Sequence, residues 1–270
     1  MTKFLKYQIK DRIVLRIKKL KLICFPDKIP YLVFTMAKVG SLSIYSSLKK
    51  QKLLHAVFHI HSLNSKENME NLKLCKTKGI LPDSRSPITI INKYIINKNR
   101  KLKIISLVRD PMERNISAFF DAFKLYVGIS PENYKGSMQE LENIYHKKLP
   151  HDYAINWFEI QFFGATGINV YDFKFSFERG FNIIQSNHNE VLIIKTNIED
   201  NLKETLLSEF CDCPNFKLIN TNQTKTELYN KFKNYAKFSE TYLNNQYQSR
   251  YAHHFFSKEE RNAALKRWVK

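Results

Sequence analysis

The apolar positions of this chain change their period several times between the N-terminus and residue 270. Over residues 1–27, Ile13, Val14, Leu15, Ile17, Leu20 and Leu22 are interrupted at short intervals by Arg16, Lys18, Lys19 and Lys21, which predicts a helical or loose basic arm. Beyond Pro30 the run Tyr31-Leu-Val-Phe-Thr-Met36 is apolar almost throughout, the pattern of a short strand covered on both faces. Leu42, Tyr45 and Leu48 then recur at every third position and predict a helix over 41–50. Residues 53–59 and 102–108 read as two more strands, the second feeding a helix from Pro111 to near Leu125. Residues 126–150 are polar and read as irregular. A helix is expected around 151–163, another buried strand over 190–195, and a closing helix over 258–269.

Strands alternating with helices imply an α/β fold, a central parallel sheet with helices on both faces. No internal repeat, Gly/Ser linker or low-complexity tract divides the chain, so the expected organisation is a basic arm, 1–29, and a single domain, 30–270. In such sheets ligands bind beyond the carboxyl ends of the strands, near a reversal of strand order. Residues that directly follow strands are therefore where chemistry is expected.

Composition narrows the partners. Hydrophobic residues make up 43% of the chain, with 20 Phe and 14 Tyr, enough for a sizeable core. Lys plus Arg number 44 against 25 Asp plus Glu, a net charge of +19 and a pI near 9.6. Such a field favours an anion: a nucleotide, an acidic polysaccharide, nucleic acid or an anionic membrane. The basic residues are dispersed rather than interleaved with aromatics in a recognisable module, so nucleic acid is not the expected partner. Cys24, Cys75, Cys211 and Cys213 form no CxxC and suggest no disulfide framework. Cys211-Asp-Cys213 is a weak metal signal, and no metal site is expected. The charges in the first 27 residues break the apolar pattern too often for a signal peptide or a membrane span. A basic amphipathic helix touching a membrane surface and a plain solvated helix are both compatible with them.

Two segments carry candidate chemistry. Ala37-Lys38-Val39-Gly40-Ser41-Leu42-Ser43 joins the first strand to the helix that follows. A turn there aims backbone N–H groups and the positive end of a helix dipole at an anion. Gly40 permits close approach or an unusual dihedral. Ser41 and Ser43 add hydroxyls, Ser41 as a helix cap as well, and Lys38 adds a cation. This is not GxxxxGK[ST], because Lys precedes a single Gly. An ordinary strand–helix turn that happens to hold Lys and Ser has the same sequence. The second segment, Val108-Arg109-Asp110-Pro111-Met112-Glu113-Arg114-Asn115-Ile116-Ser117, has Asp110 as N-cap, Pro111 in the first helical position and Glu113 where a capping box wants an acid. Arg109 and Ser117 are suited to a phosphate monoester. Equally, Arg109 can salt-bridge a carboxylate while Ser117 faces a neighbour. Glu113 and Arg114 read as helix-surface or capping residues.

Together the two segments, in this order and about 70 residues apart, resemble the motifs of sulfotransferases that use 3′-phosphoadenosine 5′-phosphosulfate (PAPS). Phe58-His59-Ile60-His61 between them is similar to the His-x-His segment of the 2-O-sulfotransferase branch. Asp152-Tyr-Ala-Ile-Asn-Trp157, Val170-Tyr171-Asp172 and the tail Ser249-Arg250-Tyr-Ala-His-His-Phe-Phe-Ser257 resemble bacterial capsular-polysaccharide and other carbohydrate sulfotransferases. The close match covers roughly residues 30–125. Leu42 departs from it, since small residues are common at that place, and no membrane anchor like that of the eukaryotic carbohydrate enzymes is visible.

The resemblance implies a three-layer fold around a P-loop-type parallel sheet. It implies PAPS as donor, adenosine 3′,5′-bisphosphate as product, and a carbohydrate acceptor such as an anionic capsular or extracellular polysaccharide. Lys38 is then the cation for the leaving oxygen, and Ala37, Val39, Gly40, Ser41, Leu42 and Ser43 line the 5′-side. Arg109 and Ser117 hold the 3′-phosphate, His61 is the base, and His59 is its partner or substitute. Trp157 reads as core rather than a sugar platform, and His253 and His254 as weak candidates for a lid. The formal glycosylation sequons at Asn115 and Asn222, the first within the cofactor helix, favour a cytoplasmic protein, free or at the inner face of the membrane. A P-loop nucleotide kinase lacks its signature here. A degenerate sulfotransferase kept for polysaccharide binding is the alternative that sequence leaves open.

Overall fold

The computed structural model describes residues 3–51, 53–63, 87–186, 188–221 and 226–270, with Glu70, Lys73 and Thr77, and side chains from Arg12 onward. Cys75 and the sequon at Asn222 lie outside the described residues.

β1 (Tyr31–Phe34), β2 (Val57–Ile60), β3 (Lys103–Val108), β4 (Phe181–Ser186) and β5 (Asn189–Lys195) form one sheet in the order β2-β1-β3-β5-β4. β2, β1, β3 and β5 are parallel, and β4 returns antiparallel along β5. Every residue of β1 and β3 is buried, as their apolar runs require. β4 was not expected. Its Asn182 and Gln185, exposed Ile183 and only one buried residue give an edge strand no distinctive pattern. The chain leaves β1 toward β2 on one side and leaves β3 toward β5 on the other. The reversal of strand order therefore lies between the carboxyl ends of β1 and β3, where a crevice forms in open α/β sheets.

Helices flank the sheet: α1 (Lys3–Cys24), α2 (Ser41–Lys50), α3 (Ile88–Tyr94), α4 (Pro111–Asp121), α5 (Phe123–Val127), α6 (Met138–Lys148) and α7 (Tyr153–Trp157). Then follow α8 (Asp200–Phe210), α9 (Glu227–Tyr235), α10 (Glu240–Tyr247), α11 (Arg250–Phe255) and α12 (Lys258–Trp268). The helix expected up to residue 125 breaks at Ala122, and α7 runs into a wider π-helical stretch, Phe158–Phe163. The region 126–150 is not irregular. Ser137 accepts from the Glu140 N–H, Glu140 accepts from the Ser137 N–H, and Leu141 and Tyr145 bury one face of α6. The short C-terminal helices are specified the same way: Thr226, Ser239, Ser249 and Ser257 each cap their own first turn.

Two cores result. One surrounds the sheet and is largely aliphatic; the other is aromatic and gathers α4, α6 and the C-terminal helices around Phe119, Tyr145, Phe232, Phe238, Tyr247 and Trp268. The N-terminal arm is seated on the first. Leu22 is buried, Lys18 donates to the Tyr45 hydroxyl at 3.0 Å, and Arg100 donates to the carbonyls of Leu22, Phe25, Pro26 and Lys28.

Candidate active site

The turn after β1 is bent by two left-handed residues, Lys38 (φ 70°) and Gly40 (φ 79°). For Gly40 that conformation is free. For Lys38 it costs about 1–3 kcal/mol and needs support from outside the turn. The support is a pair of guanidinium groups from the second motif. Arg109 Nη1 donates to the Lys38 carbonyl at 2.8 Å, and Arg114 Nε donates to the Ala37 carbonyl at 3.1 Å. Both clasps cross the crevice between β1 and β3. Residues of alternating handedness turn successive N–H groups to one side, the geometry that receives anions, and the first N–H groups of α2 lack intrahelical acceptors.

Arg114 is therefore not a surface residue. It is 5% exposed, bonds Asn115 Oδ1 at 3.1 Å and lies over the Tyr153 ring at 4.6 Å. No carboxylate pairs with it among the described residues. Burial pushes its guanidinium below its ordinary pKa.

The serines of the turn also differ from expectation. Gly40, not Ser41, occupies the N-cap of α2, and no side chain caps it. The Ser41 hydroxyl pairs with His59 Nε2 at 2.9 Å, and Ser43 donates to the Ile219 carbonyl. Any anion bound here thus meets backbone N–H groups and Lys38 rather than two free hydroxyls. Val39 is buried, and the Leu42 side chain is half in solvent.

α4 starts as its sequence dictates. Asp110 Oδ1 accepts from the Glu113 N–H at 2.9 Å, and Oδ2 accepts from the Tyr247 hydroxyl at 2.8 Å. Burial raises the Asp110 pKa despite those bonds. The Glu113 carboxylate closes no capping box. It meets Arg109 at 3.3 Å, Lys233 at 2.7 Å and Arg267 at 3.0 Å. Burial would raise its pKa, but those three cations outweigh burial and hold it below the usual range. Arg109 does salt-bridge a carboxylate, as one reading of the sequence had it. Its backbone is fixed as well: the Tyr251 hydroxyl accepts from the Arg109 N–H at 3.0 Å and donates to its carbonyl at 2.8 Å.

Lys38 Nζ reaches Asp121 Oδ1 at 2.7 Å, at the far end of α4. Glu113, Ser117 and Asp121 are spaced four apart, so they line one stripe of the helix at roughly 6 Å intervals. Arg109 pairs with the first and Lys38 with the last, so the half-buried Ser117 lies between two ion pairs. Asp121, Tyr251, Lys233 and Arg267 were not foreseen. The spacing of Glu113, Ser117 and Asp121 was legible, whereas the approach of the C-terminal helices was not.

The histidines sit beside the turn. His59 is opposite Val33 in the register of β1 and β2, and His61 follows the end of β2. Their rings meet edge to face at 4.8 Å, and Tyr45 stacks on His59 at 5.3 Å. Burial, then the neighbouring His61 and Lys18, push His59 down to about 3, so it is neutral at ordinary pH. His61 Nδ1 lies 2.7 Å from the Thr35 carbonyl, which can only accept. Nδ1 therefore carries the proton, and in the neutral ring Nε2 is the basic nitrogen. Trp157 is buried and its indole N–H donates to the His61 carbonyl at 3.0 Å, so it is a core residue that also steadies His61.

At the neighbouring end of β5, buried Lys195 is held by both Glu260 oxygens, at 2.6 and 2.7 Å. His253 pairs with Gln248, and His254 packs on Tyr171 and Phe175, its pKa pushed to about 4 chiefly by burial. Cys211 and Cys213 are buried thiols, and no group of three metal-ligating side chains occurs among the described residues. No helix among them is long and apolar enough to cross a membrane. Compared with known proteins, the chain is matched by no family model, no curated protein and no solved structure.

Proposed function

We propose that this chain is a sulfotransferase-like enzyme that moves a sulfuryl group from PAPS to a hydroxyl of a carbohydrate, with an anionic polysaccharide as the preferred class. One observation carries the reading. An anion-cradling turn with one lysine after β1 is clasped by an arginine from the end of β3, with Ser117 on the helix that follows and a histidine protonated on Nδ1 after β2, on the other side of β1.

In this reading the acceptor oxygen attacks sulfur in line as the bond from sulfur to the 5′-phosphate oxygen breaks. The hydroxyl proton passes to His61 Nε2, and adenosine 3′,5′-bisphosphate departs. Lys38 exchanges Asp121 for the developing charge on the leaving oxygen. Backbone N–H groups of residues 40–42 hold the 5′-side. Arg109 keeps Nη1 on the Lys38 carbonyl and turns Nη2 from Glu113 to the 3′-phosphate, with Ser117 beside it. His59, neutral and fixed on Ser41, is a partner that positions His61 rather than the base.

Transfer of radiolabelled sulfate from PAPS to a panel of neutral and anionic polysaccharides tests this. Label should reach at least one acceptor. Lys38→Ala should cut turnover by about 10²–10³, and His61→Ala by about 10²–10⁴. Full turnover in either variant removes that residue from its role. A wild-type protein that transfers no label to any acceptor contradicts the proposal.

A further inference from the structure

Over residues 12–24, whose side chains are described, α1 is bound to the body along one side. Leu22 is buried and Val14, Leu15, Lys18 and Lys21 are half-buried, whereas Ile13, Ile17 and Leu20 are 53%, 49% and 57% exposed. Positions 13, 17 and 20 share one stripe of a helix. Exposed Arg12, Arg16 and Lys19 run beside it, and exposed Phe25 extends the apolar surface past the helix end. Residues 12–24 hold five cations and no acid. A surface helix ordinarily turns one apolar stripe inward and polar residues outward. This one is apolar on both sides, and the outer side is edged with positive charge. The same chemistry recurs beneath it. A groove of about 210 Å³ between α1 and the β2 side is walled by Val14, Leu48, Leu53 and Val57, with Ile17 at its outer edge and Lys18 and Lys49 beside it.

We propose that the outer face of α1 docks on an anionic membrane surface. The helix lies in the plane of the bilayer, with Ile13, Ile17, Leu20 and Phe25 at the acyl boundary and Arg12, Arg16 and Lys19 on the headgroups. Charge selects this occupant. A second copy of the chain would set Arg12, Arg16 and Lys19 against their own kind, with acids only at the two ends of the patch, Asp11 and Asp27. The helix is not apolar enough to span the bilayer. The inference stands apart from the proposed activity, since none of these residues belongs to the crevice.

Sedimentation of the full chain with vesicles tests it, using phosphatidylcholine alone and phosphatidylcholine mixed with phosphatidylglycerol. The chain should pellet with the mixed vesicles, weakly with the neutral ones, and less as salt is raised. Replacing Arg12, Arg16 and Lys19 together by Gln should weaken binding about a hundredfold, roughly fivefold per charge. Ile17→Asn with Leu20→Asn should weaken it more than about tenfold. These side chains are exposed, so circular dichroism should show both variants folded. If either unfolds, the lipid and salt dependence of the wild type decides alone. Equal binding to both vesicle types, or binding to neither, overturns the proposal. So does a wild-type dimer that Ile17→Asn with Leu20→Asn dissolves.

Discussion

The sheet-centred core and the helical core are built from different side chains and contribute differently to the crevice. Around β1, β3 and β5 the packing is chiefly Val, Ile and Leu, and what emerges at the strand ends is backbone: the Lys38–Gly40 turn, the end of β2 and the start of α4. The helical core is aromatic, with Phe119 touching Tyr145, Phe232, Phe123 and Tyr126. Its elements supply charge and hydroxyls. Lys233 and Arg267 hold Glu113, and Tyr247 holds Asp110. α4 belongs to both, since it starts from β3 yet buries Met112, Ile116 and Phe119 in the second core. In the proposed reading the sheet decides where an anion sits, and the helical core decides which charges compete for it.

The strongest way to break this division is Phe119→Ala, which should cost about 3–5 kcal/mol, against about 0.5–1.5 for Ile105→Val within the sheet. Chemical denaturation of both variants measures the contrast. A Phe119→Ala cost no larger than that of Ile105→Val would mean that the Phe119 ring does not anchor the helical core. Tyr251→Phe leaves the N–H and carbonyl of Arg109 without their hydroxyl partner. The expected cost is about 1–3 kcal/mol, together with weaker binding of adenosine 3′,5′-bisphosphate. Unchanged affinity would show that Arg109 needs no such clamp.

A third test uses acid. His59 titrates near 3 when folded and near 6.5 when unfolded. Between those values the unfolded chain binds the extra proton, so stability rises with pH across the window and is lost as pH falls. One such group contributes a slope of at most about 1.4 kcal/mol per pH unit. His59→Gln should flatten the dependence measured by denaturation at pH 4–7. A residual slope remains from His254, pushed to about 4, and from His146 and His151, which burial also lowers. The smallest effect is expected at the Lys38–Asp121 pair, which is partly exposed on both sides. Freeing Lys38 with Asp121→Asn should raise bisphosphate affinity by up to about fivefold, the worth of an exposed ion pair. A fall in affinity would instead make Asp121 a positioning residue.

Much of the crevice was legible in the sequence because it is local. Mostly apolar runs gave β1, β3 and β5, Gly40 marked the bend, and Asp110-Pro111 fixed the start of α4. The capping box of Ser137 and Glu140 was also written in the chain, but the polar surroundings of α6 hid it. The rest depends on contacts between distant residues. Arg114 is charged and stands one turn into a helix, which looks like surface until the Ala37 carbonyl and the Tyr153 ring enclose it. Ser41 fits a cap by sequence, but β2 brings His59 within 2.9 Å of it. Tyr251 lies 142 residues from the Arg109 backbone that it holds, and no local pattern announces that.

The central claim is that the crevice between β1 and β3 takes a nucleotide with a 3′-phosphate. Calorimetric titration with adenosine 3′,5′-bisphosphate, with ATP as control, tests it most directly. Micromolar binding of the bisphosphate, clear preference over ATP and loss of binding in Arg109→Ala are the predicted result. No binding, equal binding of ATP, or an Arg109→Ala protein that binds as well as wild type would contradict it.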